Sequence, residues 1–158
     1  MSLAARAWAR MLFVAAVVLA LDVAAKAAVR DSLVPGEERD LVLGFDLTRV
    51  TNDGIAFGLF GDTGALVILV TVVALGAVLA WFALAAPRPG LWLGVGLLLG
   101  GAAGNLLDRL GDERVTDFLD PPLWPAFNVA DVAITLGVVV LALTAFALPA
   151  DGEHPPSP

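Results

Sequence analysis

Two aspartates, Asp117 and Asp131, bracket the stretch VTDFLDPPLWPAFNVAD, each beside an apolar run. An ionisable group at or inside a bilayer costs roughly 2.5–3.5 kcal/mol on insertion scales, so a carboxylate placed there is paired or functional. Two that converge form a dyad able to share one proton, one member drawing a proton from water while the other donates. Asn128 ahead of Val129, Ala130 and Asp131 also reads as a helix N-cap with an acid in the first turn, where the helix dipole favours negative charge. Capping and chemistry are compatible, and on these residues alone both readings stand.

Other polar residues sit at comparable places. Asp22 and Lys26 lie four apart in an apolar run, share a helix face and can pair, the acid N-terminal to the base. They are either a self-neutralising ion pair near the membrane surface or a polar face turned toward the two later aspartates. Lys26 is the only lysine of the chain. Asn105, Asp108 and Arg109 put a polar face at the end of another apolar run, where Arg109 is either a snorkelling anchor or a planar fork for carboxylate or phosphate. Asn52, Asp53 and Gly54 form a turn signal before the apolar stretch Ile55–Phe60, and a plain hairpin turn explains them.

The elements that must position these residues follow from composition. The 158 residues are 59% hydrophobic, with a mean hydropathy of +0.87, well above a soluble domain. An all-α integral membrane protein is expected, a bundle of four transmembrane helices with a small extracytoplasmic β-sheet. The helices are expected at about 8–29, 64–86, 91–109 and 127–148. An outer β-containing loop covers about 30–63, in which Leu41, Leu43, Phe45 and Leu47 alternate as in a half-buried strand. Residues 1–150 then make one membrane-embedded domain and 151–158 a disordered acidic, proline-rich tail. Gly96, Gly100 and Gly104 recur every four residues, a ridge that lets another helix approach closely.

Composition also excludes. No cysteine is present, which removes disulfides, thiolate metal sites and a cysteine nucleophile, and the single histidine, His154, lies in the tail. A net charge of −7 argues against nucleic acid. Orientation is less direct. With the N-terminus inside, the inner side holds Arg6, Arg10 and Arg88 and the outer side Arg30, Arg39, Arg49, Arg109 and Arg114. Counting opposes that topology, while the arginines flanking the first helix favour it.

The segments LDVAAK, TNDGIAFG, GGAAGNLLDRL, VTDF and FNVAD, in this order and with these apolar runs between them, resemble the signature blocks of lipoprotein signal peptidase (signal peptidase II). The likeness covers nearly the whole chain, and five ordered blocks are far more specific than any one. It implies an aspartic endopeptidase that removes the signal peptide from bacterial prolipoproteins, cutting before a diacylglyceryl-modified cysteine. It implies Asp117 and Asp131 as catalytic residues. It implies Asp22, Lys26, Asn52, Gly54, Gly101, Asn105, Arg109 and Asn128 as supporting or substrate-contacting ones. Further implications are a multi-pass cytoplasmic-membrane location with both termini cytoplasmic and the active site outside, no metal or cofactor, and as partners the lipidated substrate and membrane lipids. A monomer is expected.

The chain departs from the family's pattern at Val23, Ala24 and Ala25, at Ile55, and in a short, proline-rich loop between the two aspartates. These changes bear on substrate fit and loop motion. Two rival readings come from other classes. An ion-coupled transporter would more often show internal repeats or broken helices at mid-membrane, and a non-catalytic scaffold would tolerate amides at both aspartates.

Overall fold

The computed structural model describes residues 1–42, 44–52, 64–86, 88–111 and 114–146. It is mostly helical. In chain order come α1 (Leu3–Ser32), β1 (Glu38–Asp40), β2 (Asp46–Asn52), α2 (Gly64–Ala85), α3 (Leu91–Gly111), β3 (Val115–Asp120) and α4 (Val129–Phe146). The turn read at Asp53 and Gly54, the stretch Ile55–Phe60, the helix end at 147–148 and the tail 151–158 lie outside the described residues.

Three helices, α1, α2 and α3, are long and apolar enough to cross a membrane. With 18 residues, α4 measures about 27 Å at 1.5 Å per residue, slightly short of a hydrocarbon core of about 30 Å. α2 is apolar all round yet almost wholly exposed, with Leu66, Leu69, Val70, Val73 and Leu84 facing outward. In water such a face would be a liability, and in lipid it is ordinary.

α3 is the central helix and touches α1, α2 and α4. Its glycines explain how. A Cβ at Gly96 would meet the Met11 carbonyl oxygen at 2.8 Å and one at Gly100 the Ala15 carbonyl oxygen at 2.6 Å, so this ridge lies against the α1 backbone. Gly101 and Gly94 face α4 instead. Small residues on two sides let α3 approach both neighbours at backbone distance.

The sheet is antiparallel with order β1-β2-β3. The alternation over Leu41–Thr48 predicts a strand there, and here the structure differs. β2 starts at Asp46, and the preceding residues turn, with Leu41 N–H donating to Phe45 O at 2.9 Å and Phe45 N–H to Val42 O at 3.1 Å. Gly44 sits at φ 81°, a conformation that a side chain resists, and this breaks the run that periodicity alone would continue. The sheet also takes in β3, so Asp117 lies on a strand rather than at the end of an apolar helix. A small core of Val29, Leu33 and Phe118, packed against Leu47, Leu119 and Val129, fixes the sheet to α1 and to the start of α4.

Candidate active site

Strand register places the first pair. Val50 stands opposite Asp117 and Asn52 opposite Val115. Residues two apart on a strand share a face, so Asn52 is the diagonal neighbour of Asp117. Its Nδ2 donates to Asp117 Oδ2 at 3.0 Å.

The return of the chain places the second pair. Leu119 and Phe127 exchange two backbone hydrogen bonds of 2.9 Å, closing the proline-rich loop on itself and setting Asn128 beside β3. Asn128 then caps α4 reciprocally: Asp131 N–H donates to Asn128 Oδ1 at 3.0 Å, and Asn128 N–H donates to Asp131 Oδ2 at 3.2 Å. The same asparagine turns its amide to the other carboxylate, Nδ2 donating to Asp117 Oδ1 at 2.7 Å. One fully buried side chain therefore holds both aspartates.

Beneath them lies a buried network. Asn105 Nδ2 donates to Asp131 Oδ1 at 2.9 Å, while its Oδ1 accepts from Asn128 Nδ2 at 3.1 Å and from Lys26 Nζ at 2.9 Å. Lys26 also pairs with Asp22 at 2.7 Å and with Asp108 at 3.0 Å. Asp22 Oδ1 accepts the Ala130 N–H at 2.9 Å and so ties α1 to the first turn of α4. Asp108 accepts from Arg30 at 2.9 Å and from the Thr116 N–H at 3.1 Å, tying α3 to α1 and β3. An ammonium can occupy such a buried position because two carboxylates and the Asn105 amide oxygen surround it, Asp22 Oδ2 being held by the ion pair alone.

Burial holds the Asp117 carboxyl above its ordinary value. The Asn52 hydrogen bond pulls the other way, the negative charge of Asp131 adds to the rise, and Asn128 and Lys26 oppose it. Asp131 is half-buried, with its carboxylate in the first turn of α4.

Asp22, Lys26, Asn52, Asn105, Asp117, Asn128 and Asp131 thus form one hydrogen-bonded cluster. Gly101 is a packing position, where a Cβ would lie 2.5 Å from the Ala130 carbonyl oxygen. Arg109 stands beside the cluster, and its Nη1 donates only to Asn105 O at 3.4 Å among the described residues. With Asn105 it borders a recess of about 320 Å³ whose walls include Val67, Val70, Leu98 and Ile134. Gly54 lies outside the described residues. Asp108, Arg30 and Thr116 also belong to the cluster, outside the residues that motif spacing singles out for the site. Asp108 shares the Asn105 face three residues on, and Arg30 continues the Asp22–Lys26 spacing by one more turn, which were the available signals.

A membrane-embedded helical bundle with a polar, carboxylate-rich site under a small sheet is the class these features define. The family described as signal peptidase (SPase) II matches residues 14–147. The lipoprotein signal peptidase of Moorella thermoacetica is 43% identical over 132 residues, covering 82% of this chain and 88% of that protein. That of Pelotomaculum thermopropionicum is 45% identical over 134 residues, covering 84% and 88%. A solved structure of a bacterial membrane enzyme superposes with a TM-score of 0.81 at 26% identity, covering 90% of this chain and 94% of the other. The chain belongs to the signal peptidase II family, and is accordingly a bacterial membrane protease.

Proposed function

We propose that this chain removes the signal peptide from bacterial prolipoproteins, with Asp117 and Asp131 as its catalytic dyad. The observation that carries the proposal is Asn128, which binds Asp117 through its amide and Asp131 through its backbone N–H and side-chain oxygen. A helix cap alone needs only the second of these contacts. The relatives' shared designation, lipoprotein signal peptidase, supplies the substrate class.

In this reading the dyad shares one proton, and burial of the Asp117 carboxyl favours the protonated form there, so Asp117 is taken as the acid. Asp131 takes a proton from water as the water oxygen attacks the scissile carbonyl carbon, and Asp117 gives its proton to the carbonyl oxygen. On collapse, Asp131 passes the proton to the leaving amine as the C–N bond breaks, and Asp117 recovers one from the gem-diol. The pair ends singly protonated, as it began.

The recess beside Asn105 and Arg109 suits an apolar segment lying in the bilayer with its polar end at the carboxylates. α4 acts as a fourth span, and the sheet lies on the extracytoplasmic side, where it borders the substrate.

A cleavage assay with purified protein and a lipidated prolipoprotein peptide tests the proposal. Asp117→Asn and Asp131→Asn should each remove activity while leaving a folded protein, since an amide cannot take up the proton. The double variant should be little worse than either single one, because residues acting as one unit lose function non-additively. The pH profile should be bell-shaped: below it both carboxyls are protonated and no base remains, above it both are ionised and no acid remains. Undiminished cleavage by either asparagine variant would sink the dyad.

A further inference from the structure

The end of the molecule opposite the carboxylates has its own charge pattern. Arg6 and Arg10 near the start of α1 and Arg88 in the α2–α3 turn converge on a recess of about 150 Å³, with Leu3, Pro89 and Trp92 completing its wall. None of the three guanidinium groups has a carboxylate partner among the described residues, and every described Asp or Glu lies toward the other end of α1 and α3 or in the sheet. The Arg10 guanidinium carbon stands over the Trp92 ring, 5.6 Å from its centroid, a cation–π contact.

Backbone charge is balanced here, since α1 and α3 begin at this end, without an acid in the first turn, while α2 ends beside the recess at Ala85, so the three arginines carry its positive charge. The surroundings are those of a membrane boundary. Trp8 packs edge-on against Phe82 at 5.0 Å, Trp81 is adjacent, and Trp92 lines the recess, which gathers three of the four tryptophans at one level. Leu3 and Leu84 are largely exposed beside it. A ligand there meets cations at one end and open apolar helix surface at the other.

We propose that this recess binds the phosphate of an anionic phospholipid, the headgroup held by Arg6, Arg10 and Arg88 and the acyl chains lying along the adjoining apolar helices. The occupant is a lipid rather than a free anion because the three arginines rim exposed apolar surface at the tryptophan level, where headgroups of a bilayer sit. The site is remote from the carboxylate cluster and does not rest on the proposed peptidase activity.

The test is a titration of the full-length protein, in neutral detergent, with phosphatidylglycerol, with phosphatidylcholine and with inorganic phosphate, following the thermal unfolding midpoint. Phosphatidylglycerol should raise the midpoint saturably and the other two should not. Replacing any one of the three arginines by glutamine should weaken the apparent affinity about fivefold. If the triple Arg→Gln variant does not fold, the single variants and a triple Arg→Lys variant, which keeps the charge and should retain most of the response, carry the comparison. An equal response to phosphatidylcholine, or an undiminished phosphatidylglycerol response in the glutamine variants, overturns the proposal. So does a matching response to inorganic phosphate. A response that appears only when Asp151→Asn and Glu153→Gln are combined also overturns it, because the chain's own acidic tail would then be the occupant.

Discussion

At the scale of residues, Lys26 decides whether the cluster survives. Its ammonium donates to Asn105 Oδ1 and lies in ion-pair contact with Asp22 and Asp108, at 2.7 and 3.0 Å. Lys26→Met would leave Asp22 buried without a cation and Asp108 with Arg30 alone, and breaking a buried pair in this way costs about 3–5 kcal/mol. A drop of that order in unfolding free energy, measured in detergent, is the expected result, and a drop under 1 kcal/mol would mean that water reaches the site. Because Asp108 shares the cation, Asp22→Asn should rescue only part of the Lys26→Met loss. Asp117 offers a second measurement. Its carboxyl is raised in the folded protein, so the stability it contributes is complete below the unfolded carboxyl value and is lost as pH rises through the folded one. Melting wild type and Asp117→Asn side by side from acid to neutral pH should therefore show the variant gaining on the wild type as pH rises. The slope is the readout, since the new amide must also turn a donor toward Asn52 or Asn128 and carries a constant offset. Parallel curves would show that Asp117 is not desolvated. Much of this cluster is legible from local spacing: Asp22 with Lys26 is an i,i+4 pair, and Asn128 with Asp131 is a capping box. The Asn52–Asp117 bond is not, because 65 positions separate the two and only strand register brings them together. Asp108 was visible on the Asn105 face, but its grip on Thr116 depends on where β3 returns.

Elements carry the site as well as residues do. The carboxylate of Asp22 lies where a Cβ of Gly104 would be, while Lys26 and Ala130 hold it from the other sides and leave it no retreat. Gly104→Ala should thus destabilise by about 1–3 kcal/mol through overpacking, whereas Gly76→Ala, with open space around it, should not. Equal behaviour of the two would mean that α1 and α3 shift apart freely. The glycine ridge itself is readable in the sequence, but which helix it faces is not. The sheet is fastened by another device. Arg49 on β2 donates from Nη1 to the carbonyls of Arg30 and Leu33, at 3.0 and 2.9 Å, capping the C-terminus of α1. Arg39 reaches Ser32 O but is exposed and shared with Glu37. Since β2 also carries Asn52, Arg49→Gln should cost about 1.5–3 kcal/mol, lower cleavage and shift its pH profile, with Arg39→Gln much milder on each count. Equal effects of the two would detach Arg49 from the site. The strand expected over Leu41–Thr48, which the structure begins only at Asp46, has the same lesson at this scale: alternation does not register a turn that Gly44 makes possible.

For the whole molecule, the distribution of committed charge bears on which end faces the cytoplasm. Simple counting sets Arg6, Arg10 and Arg88 against five arginines at the other end. Among those five, Arg30 is held by Asp108, Arg39 by Glu37, Arg49 by the carbonyls that end α1 and Arg109 by the Asn105 carbonyl. The first group faces no described carboxylate, and each such cation near an anionic cytoplasmic leaflet is favoured by about 1 kcal/mol. The depth of the site is consistent with this axis. Asp22 and Lys26 follow Trp8 by 14 and 18 residues, about 21 and 27 Å along α1, so they lie close to the far boundary of a core about 30 Å thick. We therefore predict that the arginine and tryptophan end is cytoplasmic and that the sheet and carboxylates face outward. The chain has no cysteine of its own, so single reporters are unambiguous. Glu38→Cys on exposed β1 should react with a membrane-impermeant thiol reagent in intact cells or, in an organism with an outer membrane, after that barrier is opened. Arg88→Cys should react only once the inner membrane is permeabilised. Labelling of position 88 in sealed cells, with position 38 protected, would reverse the orientation and put the dyad on the wrong side of the membrane for the proposed substrate.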